Sequence, residues 1–106
     1  MDMGNNKKYS IYILECCDGS YYTGITSDLQ HRVDVHNSAG KYCAQHTKSR
    51  RPVKLVFSIS NIESGFLARS GEKYIKSLTR AKKEKLIAND ENMINLLLKR
   101  IFNDDV

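Results

Sequence analysis

Two short runs of aromatic and β-branched residues, joined by a turn signal, constrain the fold of this chain most strongly. "YSIYILE" (9–15) and "SYYTGIT" (20–26) have the composition and period of β-strands, and Asp18-Gly19 between them is typical of a tight turn. The first strand places Tyr9, Ile11 and Ile13 on one face and Ser10, Tyr12 and Leu14 on the other. The pattern predicts a hairpin whose tyrosines either cover a sheet or bring two hydroxyls, those of Tyr12 and Tyr22, to one point.

The rest of the chain alternates between helical and strand periodicity. "VKLVFSIS" (53–60) predicts a third strand with Val53, Leu55, Phe57 and Ile59 pointing inward. Four helices are predicted. The first runs from the cap Ser27 to about Asn37, and the second from about Ile62 to Leu78. The third follows the cap Thr79 through "RAKKEKLI", and the fourth follows the cap Asp90 and has an apolar stripe of Ile94, Leu97, Leu98 and Ile101. The order β-β-α-β-α-α-α predicts a small α/β (α+β) domain. We expect residues 89–106 to pack on the domain of residues 8–88, because so short a stripe rarely holds a dimer unaided.

The positive charge of the chain is concentrated in its middle. The net charge is +5, and residues 41–85 alone contain twelve lysines and arginines against three acidic residues. A segment this basic repels itself unless a polyanion lies nearby, and nucleic-acid phosphates are the usual partner. The other interpretation is a solvated basic surface, which small basic proteins often have.

The sequence has no pattern typical of a membrane or exported protein. No apolar run approaches the length of about 18 residues that a membrane span requires. The first residues, "MDMGNNKK", lack the apolar segment of a signal peptide. The three cysteines, two of them adjacent, resemble neither a disulfide framework nor a metal site with Cys–His spacing. We therefore expect a cytoplasmic protein without a membrane partner.

Three polar side chains on the predicted helices are candidates for chemistry. Arg32 and His36 share a helix face beside an apolar stripe, and the alternative is an edge arginine with a histidine that packs or caps. Glu72, at the edge of a buried arc, either pairs with Lys76 or offers oxygen to a hard cation in the groove. Together with two phenols, this set suits phosphodiester cleavage, in which a cation polarises the phosphoryl group, an arginine binds developing charge and a phenol takes a proton from water.

These residues, in this order, resemble the motifs of the GIY-YIG nuclease superfamily, most closely its small stand-alone bacterial members. Ser10-Ile11-Tyr12 stands where the "GIY" triplet occurs and Tyr22-Thr23-Gly24 where "YIG" occurs, and the changes to Ser10 and Thr23 remove no chemical group. "TSDLQHRVDVHN" resembles the helix with an arginine and a histidine, "GEKYIKSLTRAKKEKLI" the segment with a metal-binding glutamate, and "SRRPVKLVF" the loop and third strand. The similarity extends over about residues 8–88.

The resemblance implies a three-stranded antiparallel sheet flanked by helices and an endonuclease that depends on one Mg²⁺ or Mn²⁺ ion. The expected catalytic residues are Tyr12, Tyr22, Arg32, His36 and Glu72, with the metal on Glu72. Tyr22 rather than Tyr12 is expected to activate or position water, and Arg32 to hold the scissile phosphate. His36 is expected to support a tyrosine hydroxyl or the phosphate, and hydrolysis to leave a 5′-phosphate and a 3′-hydroxyl.

DNA is the expected substrate, and DNA repair is the setting that such an activity suggests. The expected substrate-binding residues are Gly24, where backbone can pass close to a phosphate, and the basic Lys48, Arg50, Arg51 and Lys76. The competing interpretations are a non-catalytic nucleic-acid-binding module and a nuclease subunit that needs a protein partner. Glu72 argues against the first, because binding alone does not require it. A monomer or weak dimer is expected.

Overall fold

The computed structural model describes residues 7–38 and 50–102, which form a three-stranded sheet with four helices. The elements are β1 (Tyr9–Glu15), β2 (Tyr21–Thr26), α1 (Leu29–Ser38), β3 (Lys54–Ile62), α2 (Gly65–Lys76), α3 (Arg80–Ile87) and α4 (Glu91–Phe102). The predicted element order and the α+β class are confirmed. None of the described helices is long and apolar enough to cross a bilayer.

The sheet is antiparallel with β1 at its centre, in the order β2-β1-β3. The turn between β1 and β2 contains Gly19 at φ 86°, a conformation that glycine adopts without steric cost. Beside it, the Asp18 carboxylate accepts hydrogen bonds from the Ser20 backbone N–H at 3.0 Å and from the Ser20 hydroxyl. The resulting register pairs Tyr12 with Gly24 and Leu14 with Tyr22, so the predicted hairpin is confirmed.

The central strand is buried on both faces, and the two sets of side chains that its sequence predicts for opposite faces enter two different cores. Ile11 and Ile13 face a core that α2, α3 and α4 complete, whereas Tyr12 and Leu14 face a smaller core that includes Leu29 and Val33 of α1. Each fully buried side chain of this size contributes about 1.5–3 kcal/mol. The fold therefore has two apolar layers separated by a single sheet, and the smaller layer contains most of the predicted catalytic side chains.

The third strand departs from simple alternation at a bulge. Ile13 pairs with Phe57, but the next residue of β1, Leu14, pairs with Leu55, so one residue of β3 is unpaired. This shift turns Leu55 outward, where 40% of it is exposed, while Phe57 remains buried. The prediction that Leu55 points inward is therefore wrong, because a bulge breaks the two-residue period on which the prediction relied.

The helix caps agree with the predicted ones at two of the three positions for which a cap was predicted. Thr79 accepts a hydrogen bond from the Lys82 N–H and Asp90 from the Met93 N–H, as predicted. The cap of α1 is Asp28, whose carboxylate accepts from the His31 N–H, rather than Ser27. Helix α2 begins after the cap Ser64 and not near residue 62, because the chain there still belongs to β3.

Gly71 allows α2 to lie directly on the sheet and on α4. A Cβ atom at this position would come within 2.5 Å of Ile11 Cδ1 and 2.8 Å of Ile101 Cγ1. Both isoleucines are fully buried, so neither can move aside into solvent. The close approach sets the height of α2 above the sheet, and thereby the position of the neighbouring Glu72.

We expect Gly71→Val to lower the free energy of unfolding by about 1–3 kcal/mol, because the added carbons overpack the core. Urea denaturation of the purified protein measures the change. Ser70→Val is the control, since it places the same side chain on the adjacent, half-exposed position of α2. Equal stability of the two variants would show that the contact is not tight.

Candidate active site

The most buried polar contact of the smaller core joins β1 to α1. The Tyr12 hydroxyl and His36 Nε2 are 3.0 Å apart, and the two residues are 1% and 0% exposed. They lie 24 positions apart in the chain and meet because α1 crosses the face of the sheet that Tyr12 occupies. His36 is predicted to support a tyrosine hydroxyl or the phosphate. In the structure its Nε2 contacts the hydroxyl of Tyr12.

Hydrogen-bonding capacity determines the direction of this contact. The guanidinium of Arg32 lies near enough to the Tyr12 hydroxyl to oppose the rise in its pKa, and a guanidinium can only donate a hydrogen bond. The Tyr12 O–H is buried and needs an acceptor of its own, which His36 Nε2 provides. The neutral imidazole of His36 therefore carries its proton on Nδ1. The order of donation is Arg32 to Tyr12 to His36.

Burial also sets the protonation states of the pair. Desolvation, with a smaller contribution from the nearby positive charge of Arg32, lowers the pKa of His36 from 6.5 to about 4. Burial raises the pKa of Tyr12 to about 12, although the hydrogen bond from Arg32 opposes this shift. At neutral pH both groups are uncharged, so the only formal charge of this trio is on Arg32.

Tyr22 completes an aromatic cluster on the same face of the sheet. Its ring centroid lies 6.3 Å from that of Tyr12 and 5.0 Å from that of His36, in tilted arrangements. Tyr22 is half-buried, whereas Tyr12 is almost fully enclosed. Of the two phenols, Tyr22 is the one that solvent and a substrate can reach.

Gly24 makes room for the Tyr12 ring. A Cβ atom on Gly24 would lie 2.5 Å from the Tyr12 hydroxyl oxygen and 3.1 Å from Tyr22 Cε2. The Tyr12 side chain thus passes directly over the backbone of its cross-strand partner. The described structure gives Gly24 this packing role, whereas the predicted contact with a phosphate stays a prediction.

Glu72 lies on α2, on the other side of the sheet from α1, but close enough to influence the phenol. Its negative charge contributes to the raised pKa of Tyr12, after burial and the charge of Tyr22. The Glu72 side chain is 18% exposed and pairs with Lys76 at 3.3 Å. The ion pair anticipated from the spacing is therefore present, and the carboxylate is also near the tyrosine cluster.

The basic residues predicted to bind substrate have partners within the protein. Arg50 Nε donates to Asp18 Oδ2 at 2.9 Å, and Arg51 donates to the Asn37 carbonyl at 3.3 Å. Lys48 lies outside the described residues. The contacts of Arg50 and Arg51 hold the residues just before β3 against the β1–β2 turn and the end of α1. This structural role was not predicted from the sequence.

Sequence reasoning missed the role of Asn37. Its side-chain amide donates to the Val53 carbonyl at 3.2 Å and accepts from the Val53 N–H at 2.8 Å, like a strand neighbour. The contact fastens the end of α1 to the start of β3 and fixes the adjacent His36. An asparagine near a helix C-terminus was the only signal, and it is too common to have been distinctive.

The candidate site offers few side chains that could bind a divalent cation. Within residues 7–38 and 50–102, no group of three or more His, Cys, Asp or Glu side chains could hold a metal. Glu72 offers one carboxylate, and Mg²⁺ often binds through one or two carboxylates with water and substrate phosphate as the remaining ligands. The residues therefore fit a metal that substrate helps to hold, and they do not form a complete protein cage.

Comparison with known proteins agrees with the motif order. A family model described as the GIY-YIG catalytic domain matches residues 8–85. The chain belongs to the GIY-YIG family. Membership indicates nuclease activity in general and a nucleic acid as substrate.

The relatives of this GIY-YIG protein are small proteins of similar length. A UPF0213 protein of Syntrophus aciditrophicus is 50% identical over 90 residues, covering 83% of this chain and 99% of the relative. The UPF0213 protein YazA of Bacillus subtilis is 46% identical over 81 residues, covering 76% and 79%. The solution NMR structure of the UPF0213 protein BH0048 of Bacillus halodurans has 36% identity and a TM-score of 0.50, covering 87% of this chain and 95% of that one.

We expect the stability of this GIY-YIG protein to depend on pH through His36. Between pH 6.5 and about 4, the unfolded chain binds a proton at this residue that the folded chain excludes. The free energy of unfolding should therefore fall as the pH falls through this range, by up to about 1.4 kcal/mol per unit. Urea denaturation at a series of pH values measures the slope.

His36→Gln provides the comparison, because glutamine can still accept from Tyr12 but does not titrate. The variant should show a shallower dependence between pH 6.5 and 4 than the parent. Parallel curves for the two proteins would mean that His36 is protonated in the folded state as readily as in the unfolded state.

Proposed function

We propose that this protein is a metal-dependent endonuclease that hydrolyses DNA phosphodiester bonds with a single divalent cation, Mg²⁺ or Mn²⁺, at Glu72. The observation that carries the proposal is the chain of contacts from Arg32 through Tyr12 to His36, beside Tyr22. Family membership supports it at the level of a nuclease. A structural core alone would not require four polar side chains to meet at one point of the smaller layer.

Arg32 is the electrophilic group of the proposed site. Its guanidinium is the one permanent charge beside the two neutral side chains, Tyr12 and His36. A fixed cation in a partly buried place binds a phosphate and stabilises the charge that develops as the bond breaks. We therefore assign phosphate binding to Arg32, which lies beside the buried phenol of Tyr12.

The two tyrosines have different roles in this proposal. The raised pKa of Tyr12, about 12, and its bond to His36 make it a poor base at neutral pH but a well-fixed orienting group. Tyr22 is accessible and lies against His36, so it can hold or deprotonate the attacking water. We assign water activation to Tyr22 and the alignment of Arg32 to Tyr12.

Glu72 would hold the cation, with Lys76 displaced toward the DNA backbone. Lys76 is 54% exposed, so its ammonium can leave the carboxylate at small cost. A bound cation would supply Lewis-acid stabilisation to a phosphoryl oxygen. Cleavage leaving a 5′-phosphate and a 3′-hydroxyl is part of the proposal, as is the role of Gly24, Lys48, Arg50, Arg51 and Lys76 along the DNA.

A second candidate function is a nucleic-acid-binding module without catalysis. The ion pair between Glu72 and Lys76 favours it, because a carboxylate that only pairs with a neighbouring lysine needs no metal. On this alternative the basic surface binds the backbone and the tyrosine cluster is structural. The two functions differ in whether removing the charge of Glu72 changes cleavage or only affects local stability.

We expect Glu72→Gln to reduce DNA cleavage by at least about 100-fold while DNA binding remains similar or tightens, because the variant loses the charge that holds the cation. The assay incubates parent and variant with single-stranded, duplex and branched DNA, with and without Mg²⁺. Cleavage by the parent should require the metal.

Glu84→Gln is the matched control, since Glu84 makes the same type of ion pair, with Arg80 four residues earlier on α3. It should cut DNA like the parent. If Glu72→Gln also cuts like the parent, Glu72 is not the ligand. If the parent cuts none of the three DNA forms, the binding module is the better description.

Replacing each tyrosine by phenylalanine separates the two phenols. Tyr22→Phe should lower the cleavage rate roughly 10²–10⁴-fold, the usual range for general acid–base catalysis. Tyr12→Phe should also destabilise the fold, because His36 loses the donor of its buried hydrogen bond. Tyr9→Phe is the control, and full activity of Tyr22→Phe would exclude Tyr22 as the group that activates water.

A further inference from the structure

The outward side of α2 presents an aromatic ring that the fold does not use. Phe66 is 79% exposed, more than any other large hydrophobic side chain among the described residues. It borders a shallow depression of ≈ 250 Å³ with Arg69, Ser70 and Lys73. We call these four residues the outer α2 surface. An aromatic side chain this exposed adds little to folding, because it removes little apolar area from water.

The backbone that carries Phe66 is fixed, although the face of its ring is exposed to solvent. The Ser64 side chain caps α2 by accepting from the Phe66 N–H at 3.1 Å and the Leu67 N–H at 3.2 Å. The opposite side of the helix is anchored in the core through Ala68 and Ile75, both fully buried. A phenylalanine on a fixed backbone has only two side-chain torsions to order, so a flat partner can bind it at low entropic cost.

The charge around the ring is positive. Phe66, Arg69 and Lys73 recur at the spacing of one helix face. Arg69 and Lys73 are exposed, and neither has a hydrogen-bond or ion-pair partner among residues 7–38 and 50–102. An aromatic face followed along the helix by two available cations matches a nucleotide, which offers a base to stack on and phosphates to bind. An apolar protein segment would leave both cations unsatisfied.

We propose that the outer α2 surface is a nucleotide-binding subsite, in which Phe66 stacks on an unpaired base and Arg69 and Lys73 bind the flanking phosphates. The inference rests on the proposed function, because it extends the DNA path from the site at Glu72 along the same helix. Phe66 precedes Glu72 by six residues, which is a rise of about 9 Å along the helix axis and a separation of about 120° around it, so a strand that reaches both residues passes round the edge of α2.

Binding measurements without cleavage test the subsite directly. Fluorescence anisotropy with a labelled single-stranded oligonucleotide in EDTA gives Kd for each protein. Phe66→Ala should raise Kd roughly 5- to 150-fold, which corresponds to the 1–3 kcal/mol of base–aromatic stacking. Phe66→Tyr should keep most of the affinity. Phe102→Ala removes another half-exposed aromatic, on α4, and should leave Kd unchanged.

A scan of abasic sites along the oligonucleotide shows whether the ring contacts a base. The parent should lose affinity when one particular base is missing, and Phe66→Ala should be insensitive at that position, because the same contact is already absent. Arg69→Ala with Lys73→Ala should make the dependence of log affinity on log salt shallower by about one to two units. If the affinity lost by removing that base and the affinity lost by Phe66→Ala simply add, Phe66 does not stack on the base and the proposed contact is overturned.

The outcomes also separate the subsite from the proposed function. Unchanged Kd for Phe66→Ala, while the parent binds and cuts DNA, overturns the subsite and leaves the endonuclease intact. A parent that binds DNA but does not cut it, and loses affinity on Phe66→Ala, supports the subsite and overturns the nuclease. A parent that binds no DNA overturns both.

Discussion

The burial of β1 on both faces is the constraint on which the rest of this structure depends. A strand that is apolar on two sides needs a layer on each, so the single helix α1 must cover one face while three helices cover the other. Leu14, Leu29 and Val33 supply aliphatic side chains to the smaller layer. Tyr12 and His36 fill the remaining volume, and their hydrogen bond satisfies the polar atoms that this packing buries. Folding and the arrangement of the site thus use the same residues.

This shared use explains the electrostatics of the cluster. Enclosure in an apolar layer keeps Tyr12 and His36 neutral, and neutrality lets Arg32 remain the dominant charge at the mouth of the cluster. If the imidazole were protonated at neutral pH, it would repel the guanidinium and its Nε2 could no longer accept from the phenol. The cationic group of the cluster is therefore held in place by uncharged neighbours.

Sequence patterns predicted the elements of this fold well and their irregularities poorly. The hairpin, the order of elements and two caps follow from local composition, which is why they could be predicted. The bulge that exposes Leu55 depends on how β3 pairs with β1, and local alternation contains no information about that pairing. The motif order predicted the family, and the structure brings Tyr12, Tyr22, Arg32 and His36 together. The contact of Asn37 with Val53 joins distant segments and could not be predicted from spacing.

The two anchors of the segment before β3 have a consequence for how such chains can vary. Asn37 with Arg51 fixes the point where the chain leaves α1, and Asp18 with Arg50 fixes the point where it returns. The rest of the fold therefore holds both ends of the connection between α1 and β3. Because the entropy of closing a loop grows only with the logarithm of its length, doubling such a connection costs about 0.6 kcal/mol. Because Asn37, Arg50 and Arg51 make these contacts outside the connection itself, the support of the tyrosine cluster does not depend on how long that connection is.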